Sequence, residues 1–225
     1  MAPATPLKGR QARLLELRET TRRAILDAAL DLFISQGYAQ VSIRNIAARV
    51  EYSPGAIYGY FASKDEIFYA LAEEGLRNLG ARELADAPSA DPIEDVRAAA
   101  WRLYEFSKEQ PQYFALVFLD RHVPRVSKDY ERFAFISEMR NRAMARVERC
   151  IAEGLFPATT YPEVALRLLW SPIVGIAALH LSHRIPAGVD IDPLVRDAIE
   201  TTIAGIRAGA PRHARPADVP AVRTA

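Results

Sequence analysis

Hydrophobic residues recur every three or four positions along most of this chain, which is the spacing of a helix with one buried face. No segment shows the alternation of period two that is typical of a half-buried strand. The sequence therefore predicts an all-α fold. After residue 63 the successive helices are expected at about residues 64–80 and 91–108, then from 111, over 127–154, from 160 and over 192–209.

Glycine and proline mark the ends of several of these helices. Gly154 is the expected C-terminal glycine of the 127–154 helix, and Pro172 is expected to kink the helix that follows, because proline removes a backbone hydrogen bond. Residues 210–225 contain too few apolar side chains to pack against a core, so we predict a disordered tail there.

Residues 42–64 predict two short helices joined by a tight turn. Ser42 is a good N-cap, and Ile43, Ile46 and Ala47 follow it on one apolar face. Ser53 and a proline at the first helical position restart a helix after the interruption at residues 51–52.

The second of these helices ends at another helix start. Ile57 and Phe61 face the core at i and i+4, and Ser63 with Glu66 forms a capping-box pattern that begins the next helix. Two short helices joined by a tight turn and followed at once by a third helix form the helix-turn-helix arrangement. Its second helix enters the DNA major groove.

Residues 22–71 resemble the DNA-binding domain of the TetR family of transcriptional repressors. The resemblance rests on four features: the AALDLF helix of residues 28–33 ending at Gly37, the pair Ile46-Ala47, the segment SPGAIYGYF of residues 53–61, and the Ser63-Lys64-Asp65 that follows. It implies an N-terminal helix-turn-helix three-helix DNA-binding domain followed by a helical effector-binding and dimerisation domain. It also implies a repressor that binds a palindromic operator as a homodimer and is released by a small-molecule effector.

Four regions follow from this organisation. We expect a basic flexible arm over residues 1–20, the DNA-binding domain over 21–66, the effector-binding and dimerisation domain over 67–209, and the tail over 210–225.

The resemblance assigns DNA contacts residue by residue. Ser42, Tyr58, Tyr60 and Lys64 match positions that hold the phosphate backbone, and each carries a hydroxyl or ammonium donor. Arg44 matches a position that reaches a base edge, and arginine suits guanine O6 and N7; a phosphate or solvent position for Arg44 is the open alternative.

The leading edge of the second helix supplies little side-chain chemistry. Ser53, Gly55 and Ala56 lie there, where Ala56 can touch a thymine methyl group and Gly55 permits close backbone approach. Sequence preference is therefore expected to depend on Arg44, on the tyrosines and on DNA shape.

Aromatic residues of the body are candidates for lining an effector cavity, and an apolar or aromatic effector would suit them. Ordinary core packing is the alternative for each of them. The candidates are Trp101, Tyr104, Phe114, Phe118, Trp170 and His180.

The last two helices are the candidates for a dimer interface, because one is apolar around much of its circumference and the other carries a stripe of small residues. A monomeric core that uses the same stripe is the alternative. The candidate interface residues are Leu169, Ile173, Gly175, Ile176, Leu179, Leu194, Ala198, Thr201 and Gly205.

Charge is unevenly distributed although the net charge is only +1. Residues 1–23 contain six Lys or Arg residues and two Glu residues. A basic arm beside a DNA-reading module can follow the phosphate backbone, and a merely solvated leader is the alternative.

The sequence offers no enzyme motif. His180 and His183 have a spacing compatible with two metal ligands, but no acidic residue or cysteine completes a set, and no phosphate-binding glycine loop or nucleophile elbow is present. The single Cys150 cannot form an internal disulfide and is expected to be a buried small hydrophobe. We expect no enzymatic activity, no cofactor and no metal.

A cytoplasmic protein is expected, without a signal peptide or membrane span. Residues 164–181 are apolar, but they contain Arg167 and Pro172, and the uncharged run is shorter than the roughly 20 residues that a bilayer requires. The alternative function is a helical ligand-binding or scaffold protein whose DNA-binding module is not used.

Overall fold

The computed structural model describes residues 7–85, 89–124, 134–186, 188–210 and 214. Helices and turns account for the regular structure of these residues, so the predicted all-α fold is confirmed. The helices are α1 (Leu7–Gln36), α2 (Ile43–Arg49), α3 (Pro54–Tyr58), α4 (Lys64–Ala85), α5 (Pro92–Glu109), α6 (Pro111–Phe114), α7 (Ala134–Ala152), α8 (Pro162–Leu181) and α9 (Asp192–Arg207). A 3₁₀ turn (Tyr38–Gln40) precedes α2, and a turn of π-helix (Ala115–Leu119) follows α6.

The chain divides into two compact units. The first unit contains Met1–Gly75 and Gln112–Val126, and the second contains Leu76–Pro111 and Ser127–Ala225. The division falls inside α4, whereas the sequence placed it between residues 66 and 67. Residues 112–124 join the first unit because Leu116 is buried in the same core as α1 to α4.

Helix α1 begins much earlier than the sequence indicated. The expectation of a flexible arm over residues 1–20 is wrong from Leu7 onward, because α1 is continuous from Leu7 to Gln36. Residues 10–20 contain neither glycine nor proline and consist mainly of Leu, Arg, Glu, Gln and Ala, which favour the helix.

The core of the first unit is built from one apolar face of each of its helices. Ile25 and Phe33 of α1, Ile46 of α2, Ile57 of α3 and Phe68 of α4 are all almost completely buried. Burial of side chains of this size stabilises the fold by roughly 1.5–3 kcal/mol each, so the core fixes the orientation of the short α2 and α3.

The turn between α2 and α3 has the predicted caps and one unpredicted feature. The Ser53 side chain caps α3 by accepting from the Ala56 N–H at 3.2 Å, and Pro54 occupies the first helical position. Glu51 adopts a left-handed conformation with φ of 58°, which non-glycine residues rarely do. This residue lies in the turn between the two helices.

The second unit is a bundle in which α5, α7, α8 and α9 pack together. Val96, Val147, Leu169 and Ile199 represent the buried face of each of these helices. At its surface Arg97 of α5 pairs with Glu200 of α9.

The helix ends of this bundle agree with the sequence where they are described. Gly154 follows α7 with φ of 73°, Pro172 lies inside α8, and Gly209 follows α9 with φ of 69°. The expected start of α7 at residue 127 lies outside the described residues, as does the predicted tail except for Ala210 and Ala214.

Candidate nucleic-acid interface

The expected DNA contacts lie on α2, on α3 and at the start of α4, all within the first unit. Ser42, Arg44, Ser53, Gly55 and Tyr58 are exposed to solvent. Ala56, Tyr60 and Lys64 are half-buried. The short helix α3 thus presents its leading edge to solvent while Ile57 anchors it in the core.

Ser42 begins α2 through a complete capping box. Its hydroxyl oxygen accepts from the Asn45 N–H at 3.2 Å, and Asn45 Oδ1 accepts from the Ser42 N–H at 2.9 Å. Asn45 Oδ1 also lies 2.5 Å from the Ser42 hydroxyl and accepts its proton. Ser42 would therefore have to exchange this internal bond for a bond to phosphate. The sequence identified Ser42 as the cap but missed Asn45 as its partner.

Gly55 is not required by packing. A Cβ atom at this position would meet only the Ser53 Oγ atom, at 3.9 Å, and the φ of Gly55 is not in the left-handed range. Since glycine costs a helix about 1 kcal/mol relative to alanine, a glycine here has a cost that the fold does not demand. An exposed helix face with no side chain permits the closest approach of the backbone to another surface.

Two arginines of α1 lie against residues 59–61, which follow α3. The guanidinium carbon of Arg18 is 5.7 Å from the centroid of the Tyr60 ring, and its Nη2 atom is 3.4 Å from the Gly59 carbonyl oxygen. The Arg22 guanidinium carbon is 5.2 Å from the centroid of the Phe61 ring. The sequence showed these arginines only as charges, because their partners lie about forty residues away along the chain.

Lys64 makes internal bonds. Its Nζ atom donates to the carbonyl oxygens of Tyr38 at 2.8 Å and Val41 at 2.9 Å, and it lies 4.1 Å from the centroid of the Tyr38 ring. An ammonium group has three hydrogens, so one remains for a phosphate oxygen. Lys64 therefore positions the segment that precedes α2, in addition to any contact with DNA.

Tyr38 joins three parts of the first unit. Its hydroxyl donates to Asp65 of α4, its N–H donates to Asp120 Oδ2 at 3.1 Å, and its ring contacts Phe33 and Phe68. Burial, followed by the bond to Asp65, raises the pKa of Tyr38 above its ordinary value, so the hydroxyl remains a donor. This network fixes the turn that precedes α2 relative to α1 and α4.

Comparison with known families agrees with this geometry. Residues 25–71 match the model of bacterial regulatory proteins of the tetR family, and residues 96–202 match a tetracyclin repressor-like C-terminal domain. The chain belongs to the TetR family. It is therefore a DNA-binding transcriptional regulator and not an enzyme.

Two curated relatives show how the similarity is distributed. The uncharacterized HTH-type transcriptional regulator YdeS of Bacillus subtilis is 24% identical over 193 residues, which cover 84% of this chain and 91% of YdeS. The HTH-type transcriptional repressor Rv3405c of Mycobacterium tuberculosis is 40% identical over 77 residues, which cover 34% of this chain and 40% of that repressor. The higher identity is thus confined to about a third of the chain.

A solved structure extends the likeness to the whole fold. The fatty acid degradation regulator FadR from Bacillus halodurans has a TM-score of 0.63 at 15% identity, and the alignment covers 83% of this chain and 96% of FadR. At this identity the likeness shows the fold alone.

The candidate effector residues of this TetR-family protein are distributed over both units. Phe114 and Phe118 belong to the first unit, where their ring centroids are 4.9 Å apart. The guanidinium carbon of Arg196 lies 4.1 Å from the centroid of the Trp101 ring. The Tyr104 hydroxyl donates to Asp192. His180 is exposed, so its assignment to a cavity wall is wrong.

Trp170 does border a cavity, but a very small one. The cavity lies between α5, α7 and α8 and has a volume of about 10 Å³, which is room for a single water molecule. Its wall includes Ala100, Arg146 and Leu166, and neither Trp101 nor Tyr104. An effector of ordinary size would have to separate these helices to enter.

The dimer candidates divide between the core and the surface. Leu169 is 3% exposed and Ile173 is completely buried, so both belong to the core of their own bundle and their assignment to an interface is wrong. The exposed stripe of α8 is displaced from them by one or two residues. It comprises Leu168, Ser171, Gly175 and Leu179, flanked by the half-buried Ile176.

On α9 the expected stripe does reach the surface. Leu194 is 48% exposed and Thr201 is exposed, while Ala198 and Gly205 are half-buried beside them. The buried face of the same helix is formed by Val195, Ile199, Ile203 and Ile206.

Helix α8 is, among the described residues, the single helix that is long and apolar enough to cross a membrane by length and composition. Its apolar residues are explained by a core face around Leu169 and an exposed face around Leu179. Core helices of soluble proteins commonly have this length and composition, so this property is weak support for a membrane segment.

Cys150 lies in the core, as expected. It is completely buried, and burial raises the pKa of its thiol to about 11. The neutral thiol acts as a small apolar side chain and is inert at physiological pH.

Proposed function

We propose that this TetR-family protein binds a palindromic operator as a homodimer, represses transcription from it, and is released by a small-molecule effector. The observation that supports this proposal most directly is the exposed edge formed by α2 and α3, which combines phosphate donors with a close-approach surface at Gly55.

In this account the roles on DNA differ along the edge. Tyr58, which is 56% exposed, and Tyr60 hold the phosphate backbone together with Ser42 and Lys64. Arg44 projects from the first turn of α2 and reads a base edge, for which a good bidentate contact is worth about 1–3 kcal/mol of discrimination. Ser53, Gly55 and Ala56 let the α3 backbone approach the groove.

The exposed apolar surface of α8 and α9 supports the proposed homodimer. Leu168, Leu179 and Leu194 are 37%, 45% and 48% exposed, and Gly175 lies between the first two with no atom near the position of its missing Cβ. A surface of leucines around a small residue suits close packing of a second copy across a two-fold axis.

Such a dimer would also explain how one short helix obtains enough affinity. In a dimer, each protomer would place its α3, the recognition helix, in one of two successive major grooves about 34–36 Å apart. This doubles the contacts that a single half-site provides.

The effector is proposed to bind the second unit and to be apolar or aromatic. Because the cavity beside Trp170 holds about 10 Å³, the described form corresponds to a closed state, and the effector would select a more open one. Helix α4 contains the division between the units, so a change in its tilt would alter the spacing of the two recognition helices.

Reciprocity provides a strict condition on this mechanism. If the effector weakens operator binding by a given factor, the operator must weaken effector binding by the same factor. A Trp170→Ala variant is expected to lose induction while it retains DNA binding. A tight effector that leaves operator affinity unchanged would contradict the coupling.

The experiment for this proposal is a gel-shift titration with the DNA upstream of the protein's own gene, in the presence of excess mixed-sequence competitor. A specific shift at a stoichiometry of two chains per duplex is expected. A shift that competitor DNA abolishes completely would contradict an operator in that region.

The alternative of a scaffold whose reading module is not used predicts no shift with any genomic fragment. The family comparisons do not favour this alternative.

A further inference from the structure

The N-terminal part of α1 extends past the core of the first unit, and near its end Arg18 contacts Gly59 and Tyr60. Helix α1 starts at Leu7, whereas the first buried residue from position 9 onward is Thr21. Fourteen residues of helix span about 21 Å at a rise of 1.5 Å per residue, so nearly half of α1 extends past the core. We call residues 7–20 the α1 extension. Every residue from 9 to 20 is exposed.

One side of α1 faces the turn between α2 and α3 and the residues that follow α3. We call the surface that α2 and α3 are proposed to present to DNA the α2–α3 surface. Thr21 lies on this side, with its hydroxyl 3.5 Å from the hydroxyl of Tyr52 in the turn between α2 and α3. Arg18 lies on it too, against Tyr60 and the Gly59 carbonyl. The α1 extension therefore leaves the core at the edge of the α2–α3 surface.

The same side of the extension carries its arginines. Counting back from Thr21 in steps of three, four, seven, eight and eleven residues, which return to one face of a helix, gives Arg18, Leu17, Leu14, Arg13 and Arg10. Glu16 and Glu19 fall on the opposite side. The arginines and the glutamates of the extension are thus separated around the helix axis, with Arg10, Arg13 and Arg18 on the side that faces the α2–α3 surface.

We propose that the α1 extension is a second, rigid DNA contact that lies along the phosphate backbone beside each half-site, with Arg10 and Arg13 as its phosphate contacts. This proposal rests on the proposed DNA binding and adds a contact outside the α2–α3 surface. Charge complementarity identifies the occupant, because a basic helix face at the edge of a DNA-reading surface meets a polymer of phosphates.

A membrane surface is the other class of partner for an exposed basic helix. The apolar residues argue against it. Leu14 and Leu17 share the basic side, but Leu15, which is 66% exposed, points elsewhere around the axis. A helix that lies on a membrane needs one apolar face, but the side that carries Leu14 and Leu17 also carries arginines.

The extension should change the salt dependence of DNA binding. Each phosphate contact adds about 0.9 to the slope of log affinity against log salt concentration. Arg10→Ala/Arg13→Ala removes two contacts per protomer, and we expect it to flatten the slope by up to about 4 in a dimer. The measurement is a salt titration by fluorescence anisotropy with the full chain and a mixed-sequence duplex of roughly 40 base pairs, about four helical turns.

The matched control is Arg184→Ala/Arg207→Ala, which removes the same charge from two exposed positions of the second unit. It should leave the slope within error of the parent. An Arg10→Ala/Arg13→Ala variant with the parent's slope, or a control with an equal loss, would overturn the proposal.

A third variant tests the rigidity of the extension. Leu14→Pro retains every charge but breaks the helix seven residues before the first buried position, so the core is spared. We expect it to weaken DNA binding in the same direction as the arginine variant. Parent-like binding by Leu14→Pro would show that the extension does not act as a rigid helix.

Two further outcomes are distinguishable. If the parent chain binds neither the mixed-sequence duplex nor any genomic fragment, the proposed function itself fails. If the parent chain binds vesicles of anionic phospholipid and Arg10→Ala/Arg13→Ala abolishes that binding while the DNA slope is unchanged, the extension is a membrane contact and the proposal is wrong.

Discussion

Tyr113 lies so close to Gly75 that a Cβ atom at position 75 would be 2.9 Å from the Cδ1 atom of the Tyr113 ring. The hydroxyl of the same tyrosine donates to Glu74 Oε1 at 2.7 Å, and Glu74 Oε2 accepts from Arg23 Nη1 at 2.6 Å. Burial raises the pKa of Tyr113 to about 12, so its hydroxyl keeps the proton that it donates. Residues of α1, α4 and α6 are thus joined at one point of the first unit.

This contact predicts that Gly75→Ala destabilises the first unit. The added methyl group has to displace the Tyr113 ring, and overpacking of this kind costs about 1–3 kcal/mol of unfolding free energy. Chemical denaturation followed by circular dichroism measures the loss. Gly9→Ala is the control, because no atom lies within 4 Å of its Cβ position, and it should not destabilise the protein. Equal stability of Gly75→Ala and the parent would contradict the close approach.

Gly55→Ala should stabilise the fold but weaken DNA binding. The position is open, so alanine should raise the unfolding free energy by up to about 1 kcal/mol through its higher helix propensity. Operator affinity should fall, because the methyl group keeps the α3 backbone away from DNA. Denaturation and anisotropy titration of the same preparation test both statements. Unchanged DNA affinity would remove Gly55 from the interface.

Lys64→Ala should reduce both stability and DNA binding. Two internal bonds of a charged donor are lost, each worth roughly 1.5–3 kcal/mol before relaxation and solvent compensation. Binding to operator and to mixed-sequence DNA should weaken alike, with a flatter salt dependence, if the remaining ammonium hydrogen binds phosphate. Loss of affinity for the operator alone would indicate that Lys64 acts only through the position of α2.

Arg44→Ala distinguishes recognition of a base from binding of the phosphate backbone. It should cost about 1–3 kcal/mol at one base position of each half-site and relax the preference there. Sequencing of duplexes selected by the parent and by the variant measures that preference. The exposed Arg49 at the last position of α2 provides a control with the same charge change. Identical base preferences for Arg44→Ala and the parent would exclude Arg44 as a reader.

Gly175→Arg tests the dimer. Gly175 is exposed and has open space around it, so the monomer should fold, whereas a second copy packed on α8 has no room for the arginine. Sedimentation should show a monomer or aggregates, with operator binding lost. Ala145→Arg, at an exposed position of α7, adds the same side chain elsewhere and should remain dimeric. A folded dimer of Gly175→Arg would place the interface on another surface.

Local sequence signals predicted most helix positions because capping is a local interaction. Ser53 with Pro54 begins α3, and Gly154 follows α7, as the sequence indicated. Local signals could not predict which face of α8 is buried. Leu168 and Leu169 are chemically identical, and only packing decides which one is buried.

Interactions between distant residues left no local signal. The partners of Lys64 lie 26 and 23 residues before it, and the Tyr113 hydroxyl meets Glu74 at a separation of 39 residues. The sequence therefore identified Lys64 as part of the site but missed its support of the Tyr38 and Val41 carbonyls. The effector cavity was the least predictable feature, because aromatic residues at helical spacing fill a core as readily as they line a pocket.

Selection of binding sites from a pool of random-sequence duplexes tests the central claim most directly. The account predicts enrichment of an inverted repeat whose half-sites are separated by a whole number of helical turns of about 10–10.5 base pairs, bound by two chains. Recovery of no preferred sequence, or of a single asymmetric site bound by one chain, would contradict the claim that this protein reads an operator as a two-fold dimer.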